Sequence, residues 1–293
     1  MESEEKKSIL LTFDVEDWFQ VENFKDYIPF VSWNNHELRV EKNVHLILDL
    51  LDSFKFNPKA TFFILGWIAK RLPHLILEIE KRGHEIASHG IDHHLCTKQL
   101  KKDLIQDLQK SKQLLEDMIG KQIFGYRAPS FAINNDILDV IKEAGYLYDS
   151  SYNSFSMHGR YGSIDLPYKK FKTIYEISND FFEIPISNLK IKNKVFPLGG
   201  GGYFRLFPLL FFKYGMNILL KKEDAFVFYC HPWEFDPRQP RVKEATGAFK
   251  FRHYINLSKT ADKLEKLIKS FSKFEYQTCK VFLLETINRN IKN

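Results

Sequence analysis

The amino-acid sequence predicts an α/β fold in which helices pack against a mostly parallel sheet. Through the first two-thirds of the 293-residue chain, short apolar segments typical of buried strands alternate with segments whose apolar residues recur at helical spacing. Charged and imidazole side chains follow directly after several of the apolar segments. Because the carboxyl ends of parallel strands converge on one face, these side chains predict a functional site there.

The individual strands and helices are predicted from the short apolar segments and from the apolar residues at helical spacing, respectively. Helices are predicted over residues 41–54, 67–82, 134–144 and 258–274, and a glycine follows the second and third of them as a cap. The irregular stretch 232–257 is rich in Pro, Arg and aromatic residues, which predicts a long functional loop. Predicted strands cover residues 8–13, 60–65, 84–88, 123–126, 146–148, 182–186 and 225–230.

Composition and charge are those of an ordinary globular protein. The chain is 44% hydrophobic and 27% charged, and its net charge of +6 comes from scattered lysines rather than from one basic stripe. No basic stripe is interleaved with aromatics, so no nucleic-acid partner is expected. The three cysteines form no CxxC motif, which favours a reducing compartment and predicts a cytoplasmic protein.

The most apolar stretch, residues 204–220, bears on membrane attachment. It is interrupted by Arg205, Pro208 and Lys213 and is too short to span a bilayer, so no transmembrane segment is predicted. A packed helix is the expected structure, and peripheral association with a membrane surface stays open. No pattern in the sequence predicts the oligomeric state.

Two clusters of side chains have the chemistry of a metal site. His89 and His93 are four residues apart, which points both imidazoles the same way on a helical turn. Asp14, Glu16 and Asp17 end the first predicted strand, where like charges repel unless a cation or a shared proton relieves them. Two histidines and one carboxylate form a common ligand set of catalytic metals. Taken alone, each cluster is also compatible with ordinary structural side chains.

Arg127 and His231 also follow predicted strands directly. Arg127 can hold a carboxylate in a bidentate pair and keep it ionised, although a structural salt bridge has the same signature. His231 can protonate a leaving amine, and a buried, hydrogen-bonded histidine is the alternative interpretation.

Several motifs occur in the order found in a known family. They are TFDVEDWFQVENF, HEIASHG, GYRAPSF, YDSS, EIPIS, GGGYFR, HPWEFDPRQPR and FRHYINL. With these motifs the chain resembles the NodB homology domain of polysaccharide deacetylases, which form carbohydrate esterase family 4. It is most similar to the deacetylases found with bacterial exopolysaccharide and exosortase loci.

The resemblance implies a fold, a reaction and a domain organisation. The fold is a distorted, incomplete (β/α) barrel, with one deacetylase domain over residues 8–257 and a helical extension over 258–293 packed on it. The reaction is metal-assisted hydrolysis that removes N-acetyl groups from N-acetylhexosamine units of a bacterial polysaccharide or its precursor. The implied cofactor is a divalent metal, zinc in particular, and the implied partner is the N-acetylated glycan.

The matching motifs also imply roles for single residues. Asp14 corresponds to the base that activates water, Arg127 to the arginine that tethers this base, and His231 to the general acid. His89 and His93 correspond to the two histidine ligands of the metal. These roles follow from the resemblance and from no other feature of the sequence.

Substrate contacts are expected from three further residues. The backbone N–H of Ser130 falls where the family places an oxyanion donor, and Tyr203 and Trp233 are expected to offer aromatic faces to a sugar. The glycine run 199–202 lacks the spacing of a phosphate-binding loop, so nucleotide binding is not expected.

The chain departs from the family pattern at the third metal ligand. The family has two adjacent aspartates, whereas here Asp14 is followed by Val15, Glu16 and Asp17. Either Glu16 or Asp17 is the third ligand, and Asp17 is the preferred choice. The usual acidic-aromatic fourth motif is replaced by YDSS at 148–151, which leaves open the group that orients the general acid.

Two other functions are compatible with the same scaffold. One is an allantoinase-like hydrolase of cyclic amides, some relatives of which use no metal. The other is a non-catalytic protein that binds glycans. The intact set of Asp14, His89, His93, Arg127 and His231 favours the deacetylase over both.

Overall fold

The computed structural model describes residues 7–155, 161–166, 169–192 and 194–291. Its strands are β1 Ser8–Val15, β2 Ala60–Ile64, β3 Glu85–Ser88, β4 Gly125–Tyr126, β5 Tyr148–Asp149, β6 Lys170–Phe171, β7 Ile174–Ser178, β8 Phe181–Glu183, β9 Asn188–Ile191, β10 Lys194–Pro197, β11 Ala225–Cys230 and β12 Glu275–Tyr276. Its α-helices are α1 Val40–Asp52, α2 Gly66–Arg71, α3 Pro73–Lys81, α4 Lys101–Ile119, α5 Asn135–Glu143, α6 Gly201–Leu206, α7 Leu209–Lys222, α8 Gly247–Tyr254, α9 Thr260–Ser270 and α10 Cys279–Ile291.

One mixed sheet organises the fold, and this confirms the predicted α/β class. Its order is β11-β1-β2-β3-β4-β5-β8-β7-β6, with β12 also paired to β1. The pairings from β11 through β8 are parallel, whereas β7 and β6 add an antiparallel edge. The carboxyl ends of the parallel strands therefore meet at one face, as the sequence predicts.

The sheet curls into an incomplete barrel. Beyond β8, Ser187 accepts and donates hydrogen bonds with Val227 of β11: its N–H reaches the Val227 carbonyl at 3.3 Å and its hydroxyl accepts the Val227 N–H at 2.8 Å. Gly200 adds an isolated parallel bridge to Tyr229 on the same strand. These few bonds join the two ends of the parallel sheet without a continuous ladder.

Alternation along β1 places apolar side chains outside and the site inside. Ile9, Leu11 and Phe13 belong to the large hydrophobic cluster that the helices cover. Successive side chains of a strand point to opposite faces, so Leu10, Thr12 and Asp14 line the interior from one end of the barrel to the other. Leu10 belongs to the separate cluster inside the barrel. This alternation brings the Asp14 carboxylate into the barrel interior at the carboxyl end of the strands.

Three predicted elements differ from the structure. The helix predicted over 67–82 is two helices, because Pro73 lacks the N–H that a continuous helix needs and instead begins α3. The apolar stretch 204–220 is likewise divided into α6 and α7 before Pro208. The region 232–257, predicted as a loop, contains a 3₁₀ turn and α8. No helix among the described residues has the length and apolar character to cross a membrane.

The C-terminal helix α10 covers the amino-terminal end of the strands. The Cys279 N–H donates to the Thr61 hydroxyl at 2.9 Å, and the Lys280 N–H donates to the Glu85 carboxylate at 3.0 Å. Leu283 is fully buried in the cluster inside the barrel. The helix therefore contributes side chains to the same core as the strands.

We expect Leu283→Ala to lower the free energy of unfolding by about 2–5 kcal/mol, because it leaves a cavity in the barrel interior. Leu284→Ala is the matched control, since Leu284 is 38% exposed and its truncation should change stability by less than about 1 kcal/mol. Urea denaturation of both variants measures the difference. Equal, small effects would show that α10 unfolds independently of the barrel.

Candidate active site

A pocket of about 110 Å³ opens at the carboxyl end of the parallel strands. Its floor is formed by the side chains that follow β1, β3, β4 and β11. The residues of this pocket on which the chemistry depends are Asp14, Glu16, His89, His93, Ser130, Tyr203, His231 and Glu234. The convergence of strand-end side chains predicted from the sequence is therefore present.

Glu16, His89 and His93 form a possible metal-binding triad. Each offers one ligand atom, these atoms lie within 4.8 Å of one another, and all three side chains are buried. The histidines do not lie on a helical turn, as their spacing suggested: Gly90 and His93 have φ angles of +77° and +57°, which fold residues 89–93 into an irregular loop. This loop brings the two rings together with centroids 5.5 Å apart.

The hydrogen bonding of His89 fits a metal ligand. Its Nδ1 lies 2.8 Å from the carbonyl oxygen of Arg127, which can only accept, so Nδ1 carries the proton and Nε2 keeps a lone pair. Burial lowers the pKa of His89 to about 4, despite the opposing charges of Asp14 and Glu16. A neutral imidazole with one committed nitrogen is the form that binds metals.

The carboxylate of Glu16 also fits a site for a cation. Its Oε2 is buried without a hydrogen-bond donor of acceptable geometry, although it lies 2.9 Å from His93 Nε2. Burial alone would raise the pKa of Glu16, but His93 and His231 lower it to about 2. A buried carboxylate beside two imidazoles is a donor set that suits a divalent cation, whose charge would take the place of a proton on the histidine.

Asp17, the preferred third ligand from the sequence, is placed elsewhere, and Glu16 takes its position. The Asp17 carboxylate accepts hydrogen bonds from the backbone N–H groups of Trp18 at 2.8 Å, Arg39 at 2.6 Å and Val40 at 2.9 Å. Burial raises the pKa of Asp17 to about 6 in spite of these bonds. Asp17 therefore anchors the loop after β1 to the start of α1, with its oxygens turned away from the histidines.

Asp14 is held by the buried guanidinium of Arg127. Nη1 of Arg127 donates to Asp14 Oδ1 and to the Thr12 hydroxyl, both at 2.7 Å. Nε donates to the Ser150 carbonyl at 2.8 Å, and the ring of Phe63 packs 4.0 Å from the guanidinium carbon. Arg127 therefore pairs with Asp14, but through one oxygen only and not in the bidentate geometry that the sequence suggested, because Nε and Nη2 are taken by Ser150. The second oxygen of Asp14 is left facing the pocket.

His231 lies across the pocket from the two histidines of the triad. Its Nε2 is 3.2 Å from Glu16 Oε1 and 3.9 Å from Asp14 Oδ2. On the other side of the ring, Nδ1 lies 2.9 Å from Glu234 Oε1. Burial alone would lower the pKa of His231, but Glu16 and Glu234 raise it to about 9. The raised pKa favours the protonated ring at neutral pH, and the ring faces the Asp14 carboxylate.

Glu234 is a functional residue that the sequence reasoning missed. Its second carboxylate oxygen accepts a 2.7 Å hydrogen bond from Nε of Arg205, and both side chains are buried. Gly201 packs so closely against the Glu234 carboxylate that a Cβ there would overlap it. The GGGYFR motif thus supplies the space and the arginine that fix Glu234 behind His231. The three-residue spacing of His231 and Glu234 was the available signal.

Asp149 of the YDSS motif does not take that role. Its carboxylate accepts hydrogen bonds from the hydroxyl of Ser151 at 2.7 Å and from the Ser151 N–H at 3.1 Å. Burial raises the pKa of Asp149, which is paired with the buried carboxyl group of Glu183. The carboxylate that contacts His231 on the side away from Asp14 is therefore Glu234, three residues further along the chain.

The residues expected to bind substrate have different placements. Tyr203 and Ser130 line the pocket, and Ser130 adopts a left-handed backbone conformation, with φ of +54°, in the turn after β4. Trp233 also borders the pocket, but the rings of His231 and His253 stack on it at 5.1 and 4.1 Å, and it is 5% exposed. Its faces are therefore covered, and it supports His231 instead of stacking on a sugar.

The fold and the pocket together define a class of protein. A buried, arginine-held carboxylate, a possible metal triad and a protonated histidine meet at the carboxyl end of a curled α/β sheet. Such a constellation is that of a hydrolytic enzyme that activates water.

The sequence profile of the polysaccharide deacetylase family matches residues 2–148, half of the chain. The chain belongs to this family, which confirms the resemblance drawn from the motifs. A second profile, described as a domain of unknown function (DUF3473), matches residues 150–283. That second segment supplies His231, Glu234 and Arg205, so both matched segments contribute to one pocket.

Curated relatives align with part of the chain. A peptidoglycan deacetylase-like protein (FGM2) of Gibberella zeae is 38% identical over 106 residues, covering 36% of this chain and 31% of that protein. A peptidoglycan-N-acetylglucosamine deacetylase of Bacillus cereus is 33% identical over 100 residues, covering 34% of this chain and 46% of that protein. The chain thus spans less than half the length of either relative.

Solved structures share the fold over nearly the whole chain. A putative polysaccharide deacetylase from Mycobacterium smegmatis superposes with a TM-score of 0.64 at 18% identity, covering 99% of this chain and 94% of that one. The peptidoglycan deacetylase PdaC from Bacillus subtilis superposes with a TM-score of 0.50 at 15% identity, covering 97% and 93%. At these identities the likeness establishes the common fold.

We expect purified wild-type protein to contain about one divalent metal ion per chain, and Glu16→Gln or the double variant His89→Ala/His93→Ala to lose it. The matched controls are Asp17→Asn and His94→Ala, an exposed histidine beside the loop, both of which should retain the metal. Elemental analysis of protein prepared without chelators measures the content. Loss of metal from Asp17→Asn with retention in Glu16→Gln would reverse the ligand assignment.

Proposed function

We propose that this protein is a metal-dependent N-deacetylase of acetylated glycans. The observation that carries the proposal is the placement of Asp14 and His231, 3.9 Å apart, on the border of the Glu16, His89 and His93 triad. A water molecule and an acetamido group brought into this pocket would meet a base, a cation site and an acid together. The triad supports a metal-dependent reaction over the metal-free cyclic-amide hydrolase.

The triad would hold the metal, and zinc is the ion proposed because two imidazoles and one carboxylate are a familiar zinc ligand set. When bound, such an ion polarises a carbonyl group and lowers the pKa of a bound water. The Asp14 carboxylate, which Arg127 holds, then accepts a proton, and the imidazole of His231 donates one.

Asp14 accepts the proton of the attacking water. Its Oδ1 is occupied by Arg127, so the facing Oδ2 is the oxygen that takes the proton. Arg127, 2.7 Å away, holds Oδ1 in place and offsets the negative charge of the carboxylate. A backbone N–H at Ser130 is proposed to donate to the oxyanion that develops on the acetyl carbonyl.

His231 donates a proton to the sugar nitrogen as the C–N bond breaks. Attack of water forms a new C–O bond, and cleavage releases acetate and an amine. Glu234 accepts from Nδ1 of His231 and so directs the acidic Nε2 proton toward the pocket. The buried pair of Glu234 with Arg205 holds this orientation.

The substrate class proposed is the N-acetylhexosamine units of a bacterial polysaccharide or its precursor. Support comes from family membership and from curated relatives named for deacetylation of peptidoglycan. The association with exopolysaccharide biosynthesis and the cytoplasmic location stay predictions from the sequence.

Asp14→Asn should reduce kcat by about 10²–10⁴-fold, because the amide cannot take the proton of water. Release of acetate from chitooligosaccharides or acetylated peptidoglycan fragments measures turnover, and elemental analysis should show unchanged metal content. Asp26→Asn, at an exposed position, is the control and should keep full activity. Loss of metal together with activity would instead make Asp14 a ligand.

Glu234→Gln should move the basic limb of the pH–rate profile to lower pH. In the wild type, Glu16 and Glu234 outweigh burial and raise the pKa of His231 to about 9, so the acid is lost only as the pH rises through that value. Without the Glu234 charge the pKa falls, and activity is lost earlier. The exposed Glu244→Gln is the control. An unchanged basic limb would remove His231 from the general-acid role.

A further inference from the structure

A patch of apolar side chains is exposed where α6 meets α7. Leu206, Leu210, Phe211 and Tyr214, here called the α7 patch, are 42%, 80%, 43% and 66% exposed. Single exposed apolar residues are common, but a contiguous group of large ones marks a surface that contacts another apolar phase. Among the described residues, no element covers these four side chains.

The sequence of α7 explains why this patch lies on the outside. Phe212, Met216 and Leu220 recur at helical spacing and are buried against the barrel, so the first turns carry apolar residues on both faces. Toward the end of the helix, the outward positions are the polar Asn217 and Lys221. The exposed apolar character is therefore confined to the amino-terminal half of α7.

Lysines lie near Leu206, at one end of the patch. A groove of about 400 Å³ runs between the start of α7 and α9, with Leu206 and Leu209 among its apolar residues and Lys259 and Lys266 exposed on the α9 side. Asp262 is also present in this groove. A rim of basic side chains beside exposed leucine and aromatic residues is complementary to a surface that is apolar inside and anionic at its boundary.

The patch is also connected to the active-site pocket. Tyr203 lines that pocket, its ring is 5.8 Å from the ring of Phe207, and Phe207 is 5.2 Å from Phe211 of the patch. The short helix α6 thus contributes to both surfaces. A surface or molecule that contacts the α7 patch would therefore lie next to the opening of the active-site pocket.

We propose that the α7 patch docks this protein on an anionic lipid bilayer, with Leu210 and Tyr214 entering the interface and Lys259 and Lys266 meeting the headgroups. Leu206 and Leu210 lack the flat ring on which sugars stack, so lipid fits the patch better than a glycan chain does. The helix lies at the surface and does not cross the bilayer. If the proposed deacetylase function holds, its glycan is one presented at a membrane, such as a lipid-linked precursor.

Co-sedimentation with vesicles tests this docking without any assay of catalysis. Wild-type protein should bind vesicles of phosphatidylcholine and phosphatidylglycerol and bind pure phosphatidylcholine at least about tenfold more weakly, with affinity falling as salt rises. Leu210→Ser/Tyr214→Ser should reduce binding to the anionic vesicles by about tenfold or more. Leu100→Ser is the matched control, since Leu100 is 75% exposed on a different face, and it should bind as the wild type does.

The charge contribution is tested separately. Lys259→Glu/Lys266→Glu should reduce binding to the anionic vesicles and abolish its salt dependence, whereas Lys110→Glu, an exposed lysine on α4, should not. The inactive Asp14→Asn variant should bind vesicles normally, so failure of the deacetylase proposal leaves this result intact. Absence of wild-type binding to anionic vesicles would overturn the docking proposal. So would concentration-dependent dimerisation that Leu210→Ser/Tyr214→Ser abolishes, because the patch would then join two copies.

Discussion

The buried guanidinium of Arg127 is the interaction on which the arrangement of the site depends. A charge removed from water is tolerated only when its donors are satisfied and an opposite charge is close. Arg127 meets both conditions by reaching Thr12 and Asp14 on β1 and the Ser150 main chain and hydroxyl beyond β5. One side chain therefore ties together strands that are not neighbours in the sheet and, at the same time, sets the direction of the Asp14 carboxylate.

The main-chain carbonyl of Arg127 also orients a histidine of the possible metal triad. This carbonyl accepts a hydrogen bond from Nδ1 of His89, so the residue that orients the Asp14 carboxylate also selects the tautomer of a triad histidine. A comparable arrangement supports His231, because Arg205 holds Glu234 and Glu234 holds the His231 ring. Asp14 and His231 thus each face the pocket with one atom, while the other atom is held by a buried arginine, directly for Asp14 and through Glu234 for His231.

The sequence predicted the strands β1–β5, β8 and β11, the residues that follow them and the family, because these depend on local periodicity and on motifs. It did not predict the remaining short strands. It did not predict features that depend on distant contacts. One face of Trp233 is covered by His253, which is twenty residues further along the chain. The orientation of His231 depends, through Glu234, on Arg205, and α7 and β11 lie between Arg205 and His231 in the sequence. The spacing of His89 and His93 predicted a helical turn, which was wrong, because Gly90 with its positive φ lets the backbone form an irregular loop. The break at Pro73, by contrast, was visible in the sequence.

The motif comparison left open whether Glu16 or Asp17 joins the two histidines. The alternation of side chains along β1 could have favoured Glu16 from the sequence alone. Alternation along β1 points Asp14 into the barrel and Val15 into the outer core, and beyond the strand Glu16 lines the pocket whereas Asp17 does not. The two adjacent acids avoid mutual repulsion by meeting different positive partners. Glu16 faces the imidazoles and the cation site, whereas Asp17 accepts the N–H groups at the start of α1, where a helix favours negative charge. Exchanging the two roles would require a one-residue shift of β1, which would also turn Asp14 out of the pocket.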